Sequence, residues 1–178
     1  MLDRERVEMQ LCELPLAQYA WIRVEDIPFS ERIRTVCETE CPMYGKSWAC
    51  PPAVGSVEAC RERCEAFTEA LVITTVTEVR DIADLEETLA TRAPHEKITR
   101  QVCRILSMEA EEVMVLSTEA CAICSACTYP EGKPCRHPEH MYPCVESYGI
   151  IATELAEKYG IEFFNGNLVT WFSILFYR

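Results

Sequence analysis

The chain has 178 residues, 12 of them cysteine, and a formal net charge of −12 at pH 7. A chain of this length folds most simply as one domain, residues 1–178, whose core is large enough to need no disulfide staples. The excess of 29 acidic over 17 basic residues leaves no basic stripe for phosphates, which argues against a nucleic-acid partner.

The sequence also argues against a membrane partner and against secretion. No apolar stretch reaches the roughly 20 residues that cross a bilayer. Residues 1–8 are charged and mixed in sign, unlike the apolar segment of a signal peptide. We therefore expect a cytoplasmic protein, in a compartment where thiols stay reduced and are free to bind metals.

The first half of the chain predicts two strands and two helices around a cysteine-rich loop. Residues 19–24 alternate as a strand does, and residues 31–54 form a loop rich in proline, with a short helix at its start. Ser56 is a suitable N-cap for a helix to residue 67. Residues 71–79, rich in Val, Ile and Thr, predict the second strand.

The second half adds helices, two strands and a second cysteine-rich loop. We expect Asp81 to cap a helix ending near residue 89, and Pro94 to separate it from another helix that ends near residue 112. Residues 113–116 are a short strand, residues 145–159 a helix that ends at Gly160, and residues 168–177 the last strand. This order predicts an α/β or α+β fold, with helices packed on a mixed sheet of about four strands and two cysteine-rich metal-binding loops.

The second loop carries the clearest metal-binding pattern. Its cysteines are Cys121, Cys124, Cys127 and Cys135. Three thiols at x2 spacing with a fourth farther on match the run that holds an iron–sulfur cube, and differ from the two separated pairs of a zinc ribbon. The spacing favours a 4Fe–4S cluster over structural zinc. His137 and His140 are alternative zinc ligands, although a simple surface loop accounts for both.

The first loop carries Cys37, Cys41 and Cys50, and its fourth ligand stays open. Cys60 and Cys64 lie four residues apart on a predicted helix, so they could complete the set or simply pack in the core. Cys144, at the start of a predicted helix, is a further possible donor. Without any fourth thiol, one iron would stay open for chemistry as a Lewis acid.

The remaining residues near these loops have simpler predicted roles. Tyr44, Trp48 and Tyr129 are expected to shield the thiols from water. Lys46 and Arg136 are cations near the sites or ordinary solvated charges. The isolated Cys12 and Cys103 are expected to pack as small apolar residues.

At these motifs the chain resembles an uncharacterised bacterial and archaeal family of cysteine-rich, predicted metal-binding proteins, known as a domain of unknown function. The resemblance rests on Cys37, Cys41-Pro-Met-Tyr-Gly-Lys and Trp48-Ala-Cys50-Pro-Pro, then on the run from Cys121 to Cys135-Arg-His-Pro-Glu. It implies the same seven ligands that the two loops present. The additional Cys60, Cys64 and Cys144 depart from the family pattern and keep the fourth ligand of the first loop open.

The sequence predicts an iron–sulfur protein with two 4Fe–4S sites, acting in electron transfer or as an accessory protein of anaerobic metabolism. Its partner would be a redox protein docked on an acidic face, or a small-molecule substrate that the sequence does not identify. The alternatives are an enzyme or sulfur-handling protein with an open iron, and an interaction module held by structural zinc. No catalytic residue can be named.

Overall fold

The computed structural model describes residues 2–178, so Met1 lies outside it. The helices are α1 (Arg4–Leu11), α2 (Glu31–Thr39), α3 (Val57–Glu65), α4 (Leu85–Ala90), α5 (Arg92–Leu106) and α6 (Ala152–Lys158). The strands are β1 (Gln18–Arg23), β2 (Glu69–Glu78), β3 (Val113–Leu116) and β4 (Leu168–Tyr177). Short 3-10 turns occur at Val24–Asp26, Tyr129–Glu131 and Glu146–Tyr148. None of these helices is long and apolar enough to cross a bilayer.

The four strands form one sheet in the order β1-β2-β4-β3. The two long central strands, β2 and β4, pair along ten residues, from Glu69 opposite Tyr177 to Glu78 opposite Leu168. All three pairings between named strands are antiparallel. A single parallel bridge joins Ser117, just after β3, to Cys144.

Helices cover both faces of the sheet. Alternate residues such as Val72 and Ile174 point to α3 and α6, whereas Leu71 and Leu175 point to α1 and α5. Because successive side chains of a strand face opposite sides, two covered faces explain why β2 and β4 are almost continuously apolar. The loop that follows β3 carries Cys121, Cys124, Cys127, Cys135 and Cys144.

The α+β class, the four strands and the helical cover agree with the prediction, and β3 and β4 have the predicted bounds. The sheet is antiparallel between its named strands, whereas the sequence had suggested a mixed one. Hydrophobic runs in two-sided sheets carry no signature of strand direction, so the sequence could not decide this.

Two predicted helices differ in the structure. Asp84, not Asp81, caps α4, since its carboxylate accepts from the amide of Glu87 at 3.0 Å. Pro94 lies in the first turn of α5, where the missing amide proton has no helical partner to lose. This helix ends at Leu106 rather than near residue 112.

The helix predicted over residues 145–159 is interrupted at Gly149. Its φ of +78° is left-handed, and a Cβ there would lie 2.8 Å from a Val57 methyl carbon. The carbonyl of Gly149 accepts from the amide of Ser30 at 2.7 Å, and Ile150 forms a bridge with Phe29. These contacts tie the chain to the start of α2, so only Ala152–Lys158 remains helical.

Candidate metal centres

Four cysteines from separate parts of the sequence line one cavity of about 420 Å³, here called the first cavity. They are Cys37, Cys41, Cys50 and Cys144. Thr118 and Glu119 also line this cavity, and Trp171 and Phe172 of β4 contribute apolar surface to it. The structure therefore brings together the three cysteines of the first loop and adds Cys144 to them.

Local hydrogen bonds explain how the first loop reaches this position. Ser30 caps α2 by accepting from the amide of Arg32 at 3.2 Å, and this helix carries Cys37 toward the cavity. Beyond it, the amide of Gly45 donates to the carbonyl of Pro51 at 2.8 Å and closes the turn that contains Cys50. Gly45 has φ +69°, a conformation that glycine adopts without strain.

The sheet positions Cys144 through its parallel bridge. The amide of Ser117 donates to Pro143 at 2.8 Å, and the amide of Val145 donates back to Ser117 at 3.0 Å. The Cys144 sulfur accepts from the amide of Ser147 at 3.2 Å. Backbone contacts therefore hold this thiol at the end of β3, where it lines the first cavity together with the cysteines of the first loop.

A buried arginine joins the elements around the first cavity. Arg34, three residues before Cys37, donates to the carbonyls of Gly55 at 2.6 Å and Ser147 at 2.7 Å. It thus links α2 with the turn before α3 and with the segment after Cys144. Sequence pattern did not reveal this role, because arginine side chains are mostly exposed and nothing local marks Arg34 as buried.

Three thiols of the first cavity, those of Cys37, Cys50 and Cys144, have raised pKa values, which favours their protonated form in the absence of a metal. Burial raises the pKa of Cys50 to about 12, and the neighbouring Cys41 and Cys37 thiols add to the rise. Burial likewise raises the pKa of Cys37 and of Cys144. Metal binding must therefore displace protons from these groups, as it does in thiolate sites generally.

The second cysteine group lines a separate, narrow cavity of about 20 Å³, here called the second cavity. Its thiols are Cys121, Cys124, Cys127 and Cys135, all of them half-buried. Thr128 holds the loop by donating to the carbonyl of Pro134 at 2.8 Å. Burial raises the pKa of Cys121.

Two of the aromatic residues expected to shield the thiols, Trp48 and Tyr129, lie at the second cavity. Trp48 lines it, donates to the carbonyl of Lys133 at 3.1 Å, and packs edge-on against Tyr129 with ring centroids 4.9 Å apart. Arg136 also lines it and donates to Ala126 at 2.8 Å. The two histidines separate, since His137 lines this cavity and His140 lines another.

The structure places Cys60 and Cys64 away from both cavities. Both side chains are fully buried in the cluster between the sheet, α3 and α6. The Cys60 sulfur lies 3.0 Å from the Arg63 guanidinium, and burial raises the pKa of Cys64 to about 12. Cys103 is half-buried on α5, whereas Cys12 is exposed at the end of α1, contrary to the expectation that it packs.

Thiol-only ligand sets suit zinc and iron–sulfur clusters, and the two cavities offer such sets. Within residues 2–178 no three His, Cys, Asp or Glu side chains are gathered around a point that would hold one metal ion. The cysteines are therefore grouped by cavity, and the fit to a metal rests on this grouping and on their chemistry.

The chain belongs to the family described as predicted metal-binding protein (DUF2284), whose model matches residues 20–177. The match includes both cysteine groups, so the predicted resemblance is confirmed. No curated protein and no solved structure matches the chain. The family description supports metal binding and names neither the metal nor a reaction.

Proposed function

Starting from membership of a metal-binding family, we propose that this is an iron–sulfur protein with two 4Fe–4S sites, which carries electrons or assists other proteins in anaerobic metabolism. Its location would be the reducing cytoplasm, and its partner a redox protein. Cys37, Cys41, Cys50 and Cys144 would hold the first cluster, and Cys121, Cys124, Cys127 and Cys135 the second. A bound cluster would supply one-electron reduction and reoxidation.

The grouping of four thiols around the first cavity carries this proposal. The cavity of about 420 Å³ is more than tenfold larger than the roughly 30 Å³ that a water occupies in the liquid, so a multi-atom cofactor has room there. For the second group the supporting observation is the spacing of its cysteines, which matches the run of cluster-binding ferredoxins.

Cys144 favours electron transfer over chemistry at an open iron. It lines the first cavity, whereas Cys60 and Cys64 lie in the core. A fourth thiol would occupy the position that an open iron keeps for a substrate. The protein itself would then hold the cofactor, exclude water and set its potential through the surrounding shell.

The two cavities are neighbours along the chain, which suits electron passage between them. Ala120 lines the first cavity, and the next residue, Cys121, lines the second. On the other side, Trp48 lines the second cavity and Cys50 the first. Centres held by these residues would be separated by a thin wall of protein.

The test is anaerobic purification followed by iron, sulfide and zinc analysis of the wild-type protein and single serine variants. We expect about eight irons per chain, since each 4Fe–4S cluster holds four. Cys144→Ser should lose the iron of one cluster, and Cys60→Ser, the matched control in the core, should keep both.

The possible results separate the alternatives. Stoichiometric zinc without sulfide would overturn the iron–sulfur assignment and support a structural zinc module. Full retention of iron in Cys144→Ser would instead mean that Cys144 is not a ligand, and would favour an enzyme with an open iron.

A further inference from the structure

A third cavity, of about 850 Å³, lies along α5 and is here called the α5 cavity. Its volume is in the range of small-molecule binding sites, roughly 300 to 1,000 Å³. It is lined by residues of α5 and of the end of α4, by residues 121–123, and by Glu139, His140 and Tyr142. It has no part in the sites described so far, except that Cys121 lines both this cavity and the second cavity.

Three arginines line the α5 cavity, in a chain whose net charge is −12. They are Arg92, Arg100 and Arg104, spaced at i, i+8 and i+12 on α5. Arg100 and Arg104, four residues apart, are neighbours on the helix surface, and Arg92 lies two turns nearer the start of α5.

In the part of the chain that the structure describes, only Arg100 of the three arginines forms an ion pair with an acidic residue of the cavity. Glu96 is held by Arg100 at 2.8 Å and by the Ser117 hydroxyl at 2.7 Å, and Glu139 lies 3.6 Å from His140. Arg92 uses only its Nε, which donates to the carbonyl of Thr118 at 3.1 Å. Among residues 2–178, no hydrogen bond or ion pair engages the remaining nitrogens of Arg92 or any nitrogen of the Arg104 side chain.

The rest of the lining is largely apolar. Leu89, Ala93, Ile123 and the ring of Tyr142 contribute to it. The Arg100 guanidinium lies over the Tyr142 ring at 4.5 Å from its centroid and also donates to the carbonyl of His140 at 2.8 Å. These contacts hold Arg100 and Tyr142 in place, so part of the wall is organised before any ligand arrives.

We propose that the α5 cavity binds a small molecule that carries one carboxylate or phosphate group on an apolar body. Guanidinium groups with unused donors bind such anions in a fork geometry, and the apolar wall accommodates the body. Arg104 and Arg100, which lie one turn apart, bind the anionic group, while the ring of Tyr142 contacts the rest. Binding needs no metal, and only the position of the ligand beside a cluster, through Cys121, rests on the proposed function.

The experiment is isothermal titration calorimetry on the anaerobically purified full-length protein, with benzoate, phenyl phosphate and neutral benzamide as probes. Benzoate or phenyl phosphate should bind at least about tenfold more tightly than benzamide, because only the anions use the arginine donors. The two anions distinguish carboxylate from phosphate recognition. Arg104→Gln should lower the affinity for the anion about tenfold. Arg32→Gln, which removes the same charge from the exposed surface of α2, should leave that affinity unchanged.

Equal affinities for benzoate, phenyl phosphate and benzamide would overturn the proposal. So would equal weakening by Arg104→Gln and Arg32→Gln, since that result would reflect net charge alone. Because Arg104 is exposed and makes no contact that the fold needs, its variant should fold, which circular dichroism can verify. Metal content measured on the same samples keeps this outcome separate from that of the iron–sulfur proposal.

Discussion

Acid should destabilise the fold through one buried histidine. His95 of α5 is fully buried between Thr75, whose hydroxyl lies 2.9 Å from Nδ1, and Ser173, whose hydroxyl lies 2.7 Å from Nε2. Burial lowers the pKa of His95 to about 4, and the positive charge of Arg92 adds to this effect. The folded protein therefore holds a neutral imidazole at pH values where an unfolded chain would protonate it.

The sign and size of the effect follow from linkage. In the unfolded chain this histidine binds a proton below about pH 6.5, whereas in the folded protein it does so only below about pH 4. The free energy of unfolding therefore falls as the pH drops from about 6.5 to about 4. The loss is about 2 kcal/mol between pH 7 and pH 5 and about 3 kcal/mol by pH 4. Above about pH 7.5, where neither state binds this proton, the histidine contributes no pH dependence.

Urea unfolding followed by circular dichroism at pH 7 and pH 5 measures this loss, with His95→Gln as the test variant. The variant should be less stable at pH 7, because it leaves hydroxyl partners unpaired, but it should lose about 2 kcal/mol less than the wild type on acidification. His140→Gln, which removes an exposed histidine, should keep the wild-type loss. Identical losses in wild type and His95→Gln would refute the reasoning.

Three further results are expected. Cys64→Ser should lower the free energy of unfolding by about 2 kcal/mol, because a hydroxyl enters the apolar core. The metal content of this variant should stay at the wild-type value, and a loss of metal would place Cys64 among the ligands. Gly149→Ala should lower the free energy of unfolding by at least about 2 kcal/mol, measured with urea, because of left-handed strain and a clash with Val57. Gly160→Ala, at φ +67° with no atom within 4 Å of the new Cβ, should show the cost of the strain alone. Equal costs for the two variants would contradict the packing argument. Metal removal should increase hydrogen exchange mainly in residues 37–64 and 121–144 while β4 stays protected, and uniform loss of protection would show that the sheet also depends on the metal.

Helix caps and apolar runs in the sequence correctly predicted those elements that are determined by neighbouring residues. Ser56 caps α3 as expected, with its hydroxyl accepting from the amide of Ala59 at 3.1 Å. The apolar runs of β3 and β4 gave the correct bounds. The break at Gly149 was missed, because it depends on contacts with Ser30 and Val57, which lie far away in the sequence.

In the candidate sites, too, the sequence predicted what depends on local spacing and missed what depends on distant contacts. Spacing alone grouped Cys121, Cys124 and Cys127, which lie on one short loop. It could not choose among Cys60, Cys64 and Cys144 for the first group, because that choice depends on which way α3 faces and on the bridge between Ser117 and Cys144. Trp171 and Phe172 also looked like ordinary core residues, and only the fold shows that they line the first cavity.

The segment that follows β3 touches every cavity described above. Thr118, Glu119 and Ala120 line the first, Cys121 lines the second and the α5 cavity, and Arg92 holds the carbonyl of Thr118. Glu119 has a left-handed φ of 57°, which turns the chain sharply between these contacts. Consecutive residues of so short a segment cannot be displaced independently. A ligand in one cavity that shifted this segment would therefore change the affinity of the other cavities for their own ligands, and by thermodynamic reciprocity that coupling would be equal in both directions.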